Sequence, residues 1–469
     1  MEFTVNRHYA MQTITTPRTL AIAEAFGVSL DDQYTFTVFD NFTLTVAPGD
    51  IIYITGDSGS GKSTLLRELH AAHPNVLAAH EITVDPEAPI IESVGHNTPQ
   101  AVQLLTIVGL NDAFLFLRKY RELSDGQKYR FMLAKMLEAD VEAFFIDEFC
   151  SILDRDTAKI VAFNMQKVCR KNGKTLVVAT AHTDLEADLS PDVVIRKGLG
   201  SNVQTLYPWH PPLPHRCTVE AEITLEPGTL RDYKALSRFH YRNDKMFRSA
   251  QHVFKYTHRG QTVGVIVYQN PPLALAGRNA WTDRYRAATS EVARLLNQEV
   301  TMITRVVLHP KYRGIGLGAR LIRDTMPLTG KRYVEMLTTM GTVNPFAEKA
   351  GMTRVPYTPF EKFKKLRAQL RLLGWDFTFG SSVAYNLEKL NTLDPDTYRL
   401  LATDIIKQVY NAKDGGTMSV NKGHKQAWRR KVDEFSKEEV AKLIKDVMPR
   451  ERAYYIWENP EYKTMALTS

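Results

Sequence analysis

The chain has 469 residues, which exceeds the usual size of one domain and predicts two or three folded units. Its hydrophobic content of 44% and charged content of 24% are typical of globular proteins and argue against an intrinsically disordered chain. The formal net charge of +8 favours a polyanionic partner such as a nucleic acid, because lysine and arginine can neutralise phosphates.

Neither a membrane segment nor a secretion signal is indicated. No apolar run reaches the roughly 18 residues that a membrane helix needs, and the segment MEFTVNRHYAMQ lacks an apolar signal core. The cysteines Cys150, Cys169 and Cys217 are far apart and form no CxxC pair, so neither a disulfide framework nor a zinc site is indicated. We therefore expect a soluble, cytoplasmic protein without a membrane partner.

Strand-like and helix-like stretches alternate from about residue 20 to 200, which predicts an α/β unit with a largely parallel sheet. The runs 51–55, 143–146 and 175–180 are almost wholly apolar, as is typical of strands buried on both faces. The proline-rich segment YPWHPPLPHRC predicts an extended connector. We therefore place a first domain at residues 1–200 and a linker at residues 201–217.

The strand-like segments EAEITLEP, HVFKYTHRG, QTVGVIVYQNP and VTMITRVVLHP predict a second α/β unit with a mixed sheet at residues 218–355. Residues 356–469 are mainly helical and basic in pattern. Trp428, Tyr454 and Trp457 lie among basic residues there, and such aromatics can stack on bases. The alternative is a solvated helical face with these aromatics packed inward.

The sequence GDSGSGKST fits the phosphate-binding pattern GxxxxGK[ST] and lies between the strand-like IIYIT and the helix-like STLLRELH. Glycines let such a loop point its N–H groups at phosphate oxygens, and the helix N-terminus adds its positive end. Lys62 is expected to reach the β- and γ-phosphates, while the Ser63 hydroxyl coordinates Mg²⁺. The predicted ATP-binding residues are Gly56, Ser58, Gly59, Ser60, Gly61, Lys62, Ser63 and Thr64.

Further motifs follow the phosphate loop. The apolar run AFFIDEF ends in two carboxylates, which predicts Asp147 beside the metal and Glu148 beside the attacking water. LSDGQ resembles the signature of ABC-type ATPases, with Asp125 where LSGGQ is commoner. SILDRD is similar to that family's D-loop, and His182 to its switch histidine, which senses the γ-phosphate.

The resemblance to ABC-type ATPases implies a head-to-tail homodimer in which the signature of one copy closes over ATP on the other. The signature residues are Ser124, Asp125, Gly126 and Gln127. Gln100 and Gln103 are candidates for the family's Q-loop. An adenine-stacking role is open for three aromatics, namely Tyr34, Phe36 and Phe39, although aromatics at such alternate positions are more often core residues. The short helical part and the missing membrane segment disfavour a transporter role.

A second glycine-rich loop follows the strand-like VTMITRVVLHP, where KYRGIGLGARLIRD leads into a helix. This resembles the acyl-CoA loop of GNAT acyltransferases, [RQ]xxGx[GA], and NPFAEKAGM resembles that family's downstream helix. The resemblance implies that the loop binds the pyrophosphate of acetyl-CoA or another acyl-CoA while the strand offers backbone to the pantetheine. The predicted acyl-CoA residues are Val306, Leu308, Arg313, Gly314, Ile315, Gly316, Leu317 and Gly318.

The usual GNAT general acid is not evident, because Ala347 stands where many members have a tyrosine. His240, Tyr241 and Glu335 could move a proton instead, or could be satisfied buried polar residues. The combination is also reminiscent of the GNAT-like Mom enzymes that modify DNA adenine. We expect an ATP-dependent acyltransferase acting on DNA or tRNA. A protein acyltransferase gated by the ATPase, or an ATP-switched binding module with an inactive GNAT fold, are the alternatives.

Overall fold

The computed structural model describes residues 2–10, 13–30, 35–209, 216–239, 250–358, 363–411, 434–449 and 451–462. The strands of the first unit are β1 (Glu2–Ala10), β2 (Thr35–Thr45), β3 (Ile51–Gly56), β4 (Val76–Ala78), β5 (Ala143–Ile146), β6 (Thr175–Ala179), β7 (Val193–Lys197) and β8 (Val203–Leu206). Its helices are α1 (Pro17–Phe26), α2 (Lys62–Ala71), α3 (Thr98–Ile107), α4 (Ala113–Phe116), α5 (Asp125–Glu138), α6 (Arg155–Lys171) and α7 (Glu186–Leu189).

The first unit is built on a six-stranded sheet in the order β4-β5-β6-β3-β7-β8. All neighbours pair in parallel except β7 and β8. Every residue of β5 and β6 is buried, because helices and loops cover both faces of the central strands. The predicted parallel α/β sheet is confirmed. β1 and β2 form a separate two-stranded antiparallel sheet.

Part of the predicted linker at residues 201–217 belongs to the folded units. Strand β8 pairs antiparallel with β7, so the first sheet continues past residue 200. At the other end of the linker range, Cys217 is 1% exposed and packs in the core of the second unit. The connector is therefore shorter than predicted and consists of the proline-rich stretch. Residues 210–215 of that stretch lie outside the described part of the chain.

The strands of the second unit are β9 (Ile223–Pro227), β10 (His252–His258), β11 (Gln261–Gln269), β12 (Val300–Leu308), β13 (Tyr333–Thr338) and β14 (Thr353–Val355). Its helices are α8 (Thr218–Ala221), α9 (Leu230–Leu236), α10 (Ala276–Trp281), α11 (Ser290–Glu299), α12 (Leu317–Thr325) and α13 (Phe346–Lys349). The helical segment that follows contains α14 (Lys364–Leu372), α15 (Val383–Asn391), α16 (Pro395–Asn411) and α17 (Lys437–Val447), and the last strand is β15 (Ala453–Glu458).

The end of the chain returns to the second unit. Its sheet has the order β14-β15-β13-β12-β11-β10-β9, so β15 lies between two strands that precede the helical segment. The prediction of a separate helical tail at residues 356–469 is therefore wrong for β15. The helices α14 to α17 pack around an apolar core of their own, which includes Leu366, Trp375 and Ile405.

The proposed stacking role of the C-terminal aromatics also needs correction. Tyr454 is 0% exposed because β15 is covered on both faces, so its ring is not available to a base. Trp457 is half-buried and packs against the core of the second unit. Trp428 lies outside the described residues.

The two units share an interface built on α6. Ile160 and Phe163 of this helix pack into the apolar core of the second unit. The backbone N–H and the hydroxyl of Thr218 each donate to the buried carboxylate of Asp188 at 2.7 Å. The second unit thus packs directly on the helix that follows Glu148. Within the described ranges, we find no helix with the length and apolarity needed to span a membrane.

Candidate functional site

The first glycine loop runs from the end of β3 to the start of α2. Gly56, Gly59 and Gly61 have φ values of 141°, 76° and 106°, which L side chains rarely adopt. A Cβ atom at Gly56 would lie 2.0 Å from the carbonyl oxygen of Lys197, so only glycine fits there. Gly61 is the N-cap of α2, and the loop therefore ends at the positive end of a helix.

The polar groups of this loop fit a triphosphate. Lys62 is 7% exposed, and its ammonium donates to the carbonyls of Gly56 at 2.9 Å and Asp57 at 2.7 Å. Both acceptors are neutral, so the positive charge remains for an anion. The buried Ser60 hydroxyl has no hydrogen-bond partner among the described residues. Buried polar groups are nearly always satisfied, which makes this hydroxyl a position where a phosphate oxygen fits.

Asp147 and Glu148 lie at the carboxyl end of β5 with exposed side chains. Glu148 has a φ of 48°, an unusual value that turns the chain sharply out of the sheet. Asp147 Oδ1 accepts the Glu148 N–H at 2.9 Å, and Glu148 Oε2 accepts the Ser151 hydroxyl at 2.9 Å. The hydrogen bonds thus hold both carboxylates close to the chain turn.

A magnesium ion at this end of the sheet would draw on few protein ligands. Among the described residues, no group of three or more His, Cys, Asp or Glu side chains could hold a metal. Mg²⁺ is usually held by one or two protein oxygens with phosphates and waters. The predicted pair, the Ser63 hydroxyl and the Asp147 carboxylate, fits that chemistry.

The signature segment forms the start of α5. Leu123 is buried, whereas Ser124 and Asp125 are exposed. The Ser124 N–H donates to Gln127 Oε1 at 3.0 Å, which closes the first turn of the helix. A Cβ at Gly126 would lie 3.4 Å from the Leu153 side chain, so the signature packs against the segment that follows Glu148.

His182 lies just after β6 and is half-buried. Its N–H donates to the Thr180 hydroxyl at 3.3 Å, and its carbonyl accepts the Tyr53 hydroxyl. Burial raises the pKa of Tyr53, which keeps this donor protonated. The backbone at His182 is thereby fixed to the central strand β3, and its role as a switch remains a prediction.

The Q-loop candidates both lie on α3. Gln100 Oε1 accepts the N–H of His96 at 2.9 Å, so this side chain closes the turn before its own helix. Gln103 is exposed. Of the two, Gln103 therefore has the side chain that is more open to solvent.

The aromatic residues considered for adenine stacking differ in their exposure to solvent. Phe39 is fully buried in the core and is not a stacking platform. Phe36 is 51% exposed and Tyr34 lies outside the described residues. Directly opposite Phe36 in the β1–β2 pairing is Tyr9, which is 43% exposed.

Tyr9 is an exposed aromatic near the phosphate loop that the sequence analysis did not single out. Side-chain hydrogen bonds with Arg7 and with Thr64 lower the pKa of Tyr9, and the bond with Thr64 brings the Tyr9 hydroxyl to the end of the phosphate loop. The signal was available, because the alternating pattern of FTVNRHYA is typical of a strand. It lay more than fifty residues before Thr64, and spacing along the chain gave no reason to connect the two.

The second glycine loop begins where two strands part. β12 and β13 pair in parallel over Val300–Ile303 and Tyr333–Met336 only. Beyond that point Val306 and Leu308 pair with β11 on the other side. The edge of β12 that faces away from β11 therefore carries no ladder partner from β13 over its last residues.

The loop itself is partly open and partly buried. Gly314 and Gly316 have φ values of 93° and 88°, and Gly316 is the N-cap of α12. A Cβ at Gly316 would meet nothing within 4 Å, whereas one at Gly318 would lie 3.5 Å from the Leu308 side chain. The side chains of Ile315 and Leu317 belong to the core. A ligand here would therefore be bound mainly by backbone N–H groups.

Arg313 faces the first unit. Its guanidinium donates to the carbonyls of Leu308 at 2.9 Å and Asn111 at 2.5 Å. A Cβ at Gly314 would lie 2.8 Å from the Thr106 carbonyl oxygen, again in the first unit. Arg313 and Gly314 thus anchor the loop to the segment at the end of α3, a packing role that the sequence did not predict.

Of the three predicted transfer residues, Glu335 lies in the described part of the chain. Glu335 and Arg278 are both 0% exposed and form a two-point ion pair at 2.5 and 2.9 Å, and the Tyr454 hydroxyl donates to Glu335 at 2.9 Å. Arg278 and Tyr454 thus occupy the Glu335 carboxylate inside the core, so Glu335 is a buried ion-pair partner and is not exposed to a substrate. Ala347 is also a core residue, and His240 and Tyr241 lie outside the described residues.

Known proteins match the first unit. The model of the family "ABC transporter" matches residues 39–105. The alpha-hemolysin translocation ATP-binding protein HlyB of Escherichia coli O157:H7 is 28% identical over 182 residues, covering 30% of this chain and 25% of that protein. The ribosome protection protein VmlR of Bacillus subtilis is 32% identical over 152 residues, covering 30% of this chain and 26% of that protein.

The chain thus spans about a quarter of the length of these curated relatives. A solved dimeric ATP-binding cassette, described as a post-hydrolysis state with ADP and phosphate, aligns at 18% identity with a TM-score of 0.33. That alignment covers 45% of this chain and 100% of the solved one. Glycine loop, acidic strand end and signature occur together with these sequence matches. The first unit of this chain is an ABC-type ATPase domain.

Proposed function

We propose that the chain hydrolyses ATP as a head-to-tail dimer in the cytoplasm and that this cycle controls acyl transfer from acetyl-CoA, or another acyl-CoA, to a nucleic acid. The ATPase half is supported by the geometry of the first glycine loop and by the ABC-type relatives. The transfer half is carried by one observation, the open Gly316 at the start of α12 beside the parting strands.

In the ATPase half, each side chain has a stated task. Lys62 and the loop N–H groups bind the β- and γ-phosphates, and Ser63 and Asp147 hold Mg²⁺. Bound Mg²⁺ neutralises charge that develops on the transferred phosphoryl group. Glu148 orients and deprotonates the attacking water, and the exposed Ser124 of a second copy closes over the γ-phosphate. This composite site explains why the signature lies on the surface of one copy.

In the transfer half, backbone groups of α12 and β12 make most of the proposed contacts with acyl-CoA. The first N–H groups of α12 have no intrahelical acceptor and point towards the position a pyrophosphate would take. The last residues of β12 have no ladder partner from β13. The backbone groups there that Arg313 does not use are the ones an extended pantetheine arm would bind, as in strand addition. Burial of Ile315 and Leu317 keeps the loop rigid while Gly316 stays exposed.

A nucleic acid acceptor is supported by charge. The chain carries a formal net charge of +8, and Lys364, Lys365 and Arg371 are exposed on α14. Phosphate backbones are recognised by such groups through counterion release. One relative is named for ribosome protection, and ribosomes are rich in RNA. These points favour DNA or RNA over a protein acceptor.

The test uses labelled acetyl-CoA, Mg·ATP, and either tRNA or duplex DNA. Wild type is expected to label one nucleic acid, and Gly316→Val to lose both labelling and CoA binding. Gly330→Val is the matched control, because Gly330 also has a positive φ, 64°, and open space at its Cβ position. Label on neither nucleic acid, or on added peptides instead, would overturn the nucleic acid assignment.

A second candidate function is an ATP-switched binding module without acyl transfer. It is favoured by the ion pair that removes Glu335 from proton transfer. Titration with CoA separates the two candidates. CoA that binds wild type but not Gly316→Val supports the acyl-CoA site, whereas no CoA binding favours the module.

A further inference from the structure

The second unit places a lysine at the start of α6. Lys311 Nζ lies 2.6 Å from Asp154 Oδ1 and 2.8 Å from Asp156 Oδ2. Asp154 is the N-cap of α6, where its carboxylate accepts from Thr157. Arg259 adds a longer contact to Asp156 at 3.5 Å. Lys311 is thus shared between two carboxylates of the ATPase domain.

This contact is partly shielded from water. The side chains of Lys311 and Asp156 are 25% and 13% exposed. Burial alone would lower the pKa of Lys311, but the bonds to Asp154 and Asp156 outweigh it and raise the pKa. Burial likewise opposes ionisation of Asp154, yet Lys311 and Thr157 hold its pKa below the usual value. Asp154 is 57% exposed, so water partly screens its attraction to Lys311, and the Lys311–Asp156 contact is the more buried of the two.

The segment from Glu148 to Asp154 links this ion pair to the ATP site. The Ser151 hydroxyl donates to Glu148 Oε2, and Leu153 packs against Gly126 of the signature. Glu148 and Cys150 both have positive φ values, so the segment follows a tightly turned path. Because its far end is Asp154, fixing Asp154 fixes the path by which Ser151 meets Glu148.

We propose that Lys311, supplied by the second unit, is a positioning residue for ATP hydrolysis: it holds Asp154 and Asp156 and so keeps the segment after Glu148 in its working arrangement. The proposal rests on the ATPase half of the proposed function and not on acyl transfer. The same loop continues into Arg313 and Gly314, which contact Asn111 and Thr106 of the ATPase domain.

The test compares three variants by steady-state ATP hydrolysis. Lys311→Met keeps the aliphatic stem and removes the charge, and we expect kcat to fall about tenfold with KM for ATP changed less than about twofold. Lys311→Arg restores a cation and should recover most of kcat. Lys255→Met is the matched control, because Lys255 pairs with Asp232 at 3.3 Å and is 22% exposed, but contacts no ATPase residue in these pairs.

A second measurement keeps the test independent of turnover. Hydrogen exchange of the peptide that spans residues 149–158 should become faster in Lys311→Met than in Lys255→Met. Equal kcat and equal exchange in the two variants would overturn the positioning role. A chain without ATP hydrolysis would overturn the proposed function, and the exchange difference would still decide whether Lys311 holds this segment.

Discussion

The two glycine loops have the same backbone plan and different side-chain partners. Each follows a strand, each has glycines with positive φ, and each ends at the N-cap of a helix, Gly61 or Gly316. In the first loop Lys62 bonds to the loop's own carbonyls and keeps its charge for a phosphate. In the second, Arg313 bonds to carbonyls that include one of the other unit. The glycines determine the backbone conformation of each loop. The hydrogen-bond partners of Lys62 and Arg313 determine whether the cation is available to a ligand or used in packing.

We expect side-chain catalysis at the first loop and not at the second. Replacing Glu148 by glutamine should give the largest effect of the variants considered. Without a carboxylate to activate water, we expect hydrolysis to fall by on the order of 10²- to 10⁴-fold while ATP binding persists. Phosphate release and nucleotide binding are the measurements. Glu142→Gln is the control, since Glu142 is exposed just before the same strand. Hydrolysis by Glu148→Gln at the wild-type rate would refute the assignment.

Replacing Arg278 tests whether the charges of the second unit serve its core. Arg278→Met leaves the Glu335 carboxylate buried without its partner, and we expect the free energy of unfolding to fall by about 3–5 kcal/mol. Urea denaturation followed by fluorescence measures it. Arg286→Met breaks an exposed pair with Asp283 and should cost less than about 1 kcal/mol. Equal costs would show that the Glu335 pair is not structural.

Replacing Lys62 and Arg313 each by alanine tests whether the cations of the two glycine loops have different functions. Lys62→Ala should weaken ATP binding by about ten- to a hundredfold, because charge-assisted hydrogen bonds contribute about 1.5–3 kcal/mol. Arg313→Ala should lower the melting temperature but change CoA binding less than about threefold, since its bonds go to protein carbonyls. Calorimetric titration with each ligand measures both. A large loss of CoA affinity in Arg313→Ala would give this arginine a ligand-binding role.

The smallest expected effect is the pH dependence of the contact between the units. Since the folded pKa of Asp154 is lowered, the stabilisation from its charge is present above the unfolded pKa of about 3.9 and is lost as pH falls through the folded pKa. Lys311 has a raised pKa, so its contribution is lost only above about pH 10.4. Acid unfolding curves should therefore show a smaller stability loss in Lys311→Met than in wild type. Identical curves would show that the Lys311–Asp154 contact does not contribute to the pH dependence of stability.

Local patterns carried most of what the sequence could predict. The apolar runs of β3, β5 and β6 and the loop 56–64 are contiguous, so composition and spacing identify them directly. The signature Leu123–Gln127 was identified from its resemblance to the ABC-type motif, which is also a short contiguous pattern. Each of these features involves residues that are close in the chain.

Contacts between distant residues were missed. β15 pairs with β13, which lies more than a hundred residues earlier in the chain. No local sequence pattern predicts the position that such a distant strand takes in the sheet. The partner of Glu335, Arg278, lies 57 positions away, so a buried ion pair looked like a free acid. Likewise, nothing in the helical pattern of α6 identifies which apolar side chains pack on the second unit.

We propose two anion sites in this chain, one at each glycine loop. The most direct test of this proposal is calorimetric titration of wild type, Lys62→Ala and Gly316→Val with a non-hydrolysable ATP analogue and with acetyl-CoA. We predict that wild type binds both ligands. Lys62→Ala should bind the nucleotide about ten- to a hundredfold more weakly and keep acetyl-CoA, whereas Gly316→Val should lose acetyl-CoA and keep the nucleotide. Acetyl-CoA that fails to bind wild type, or binds Gly316→Val as tightly, would show that the second loop is not an acyl-CoA site.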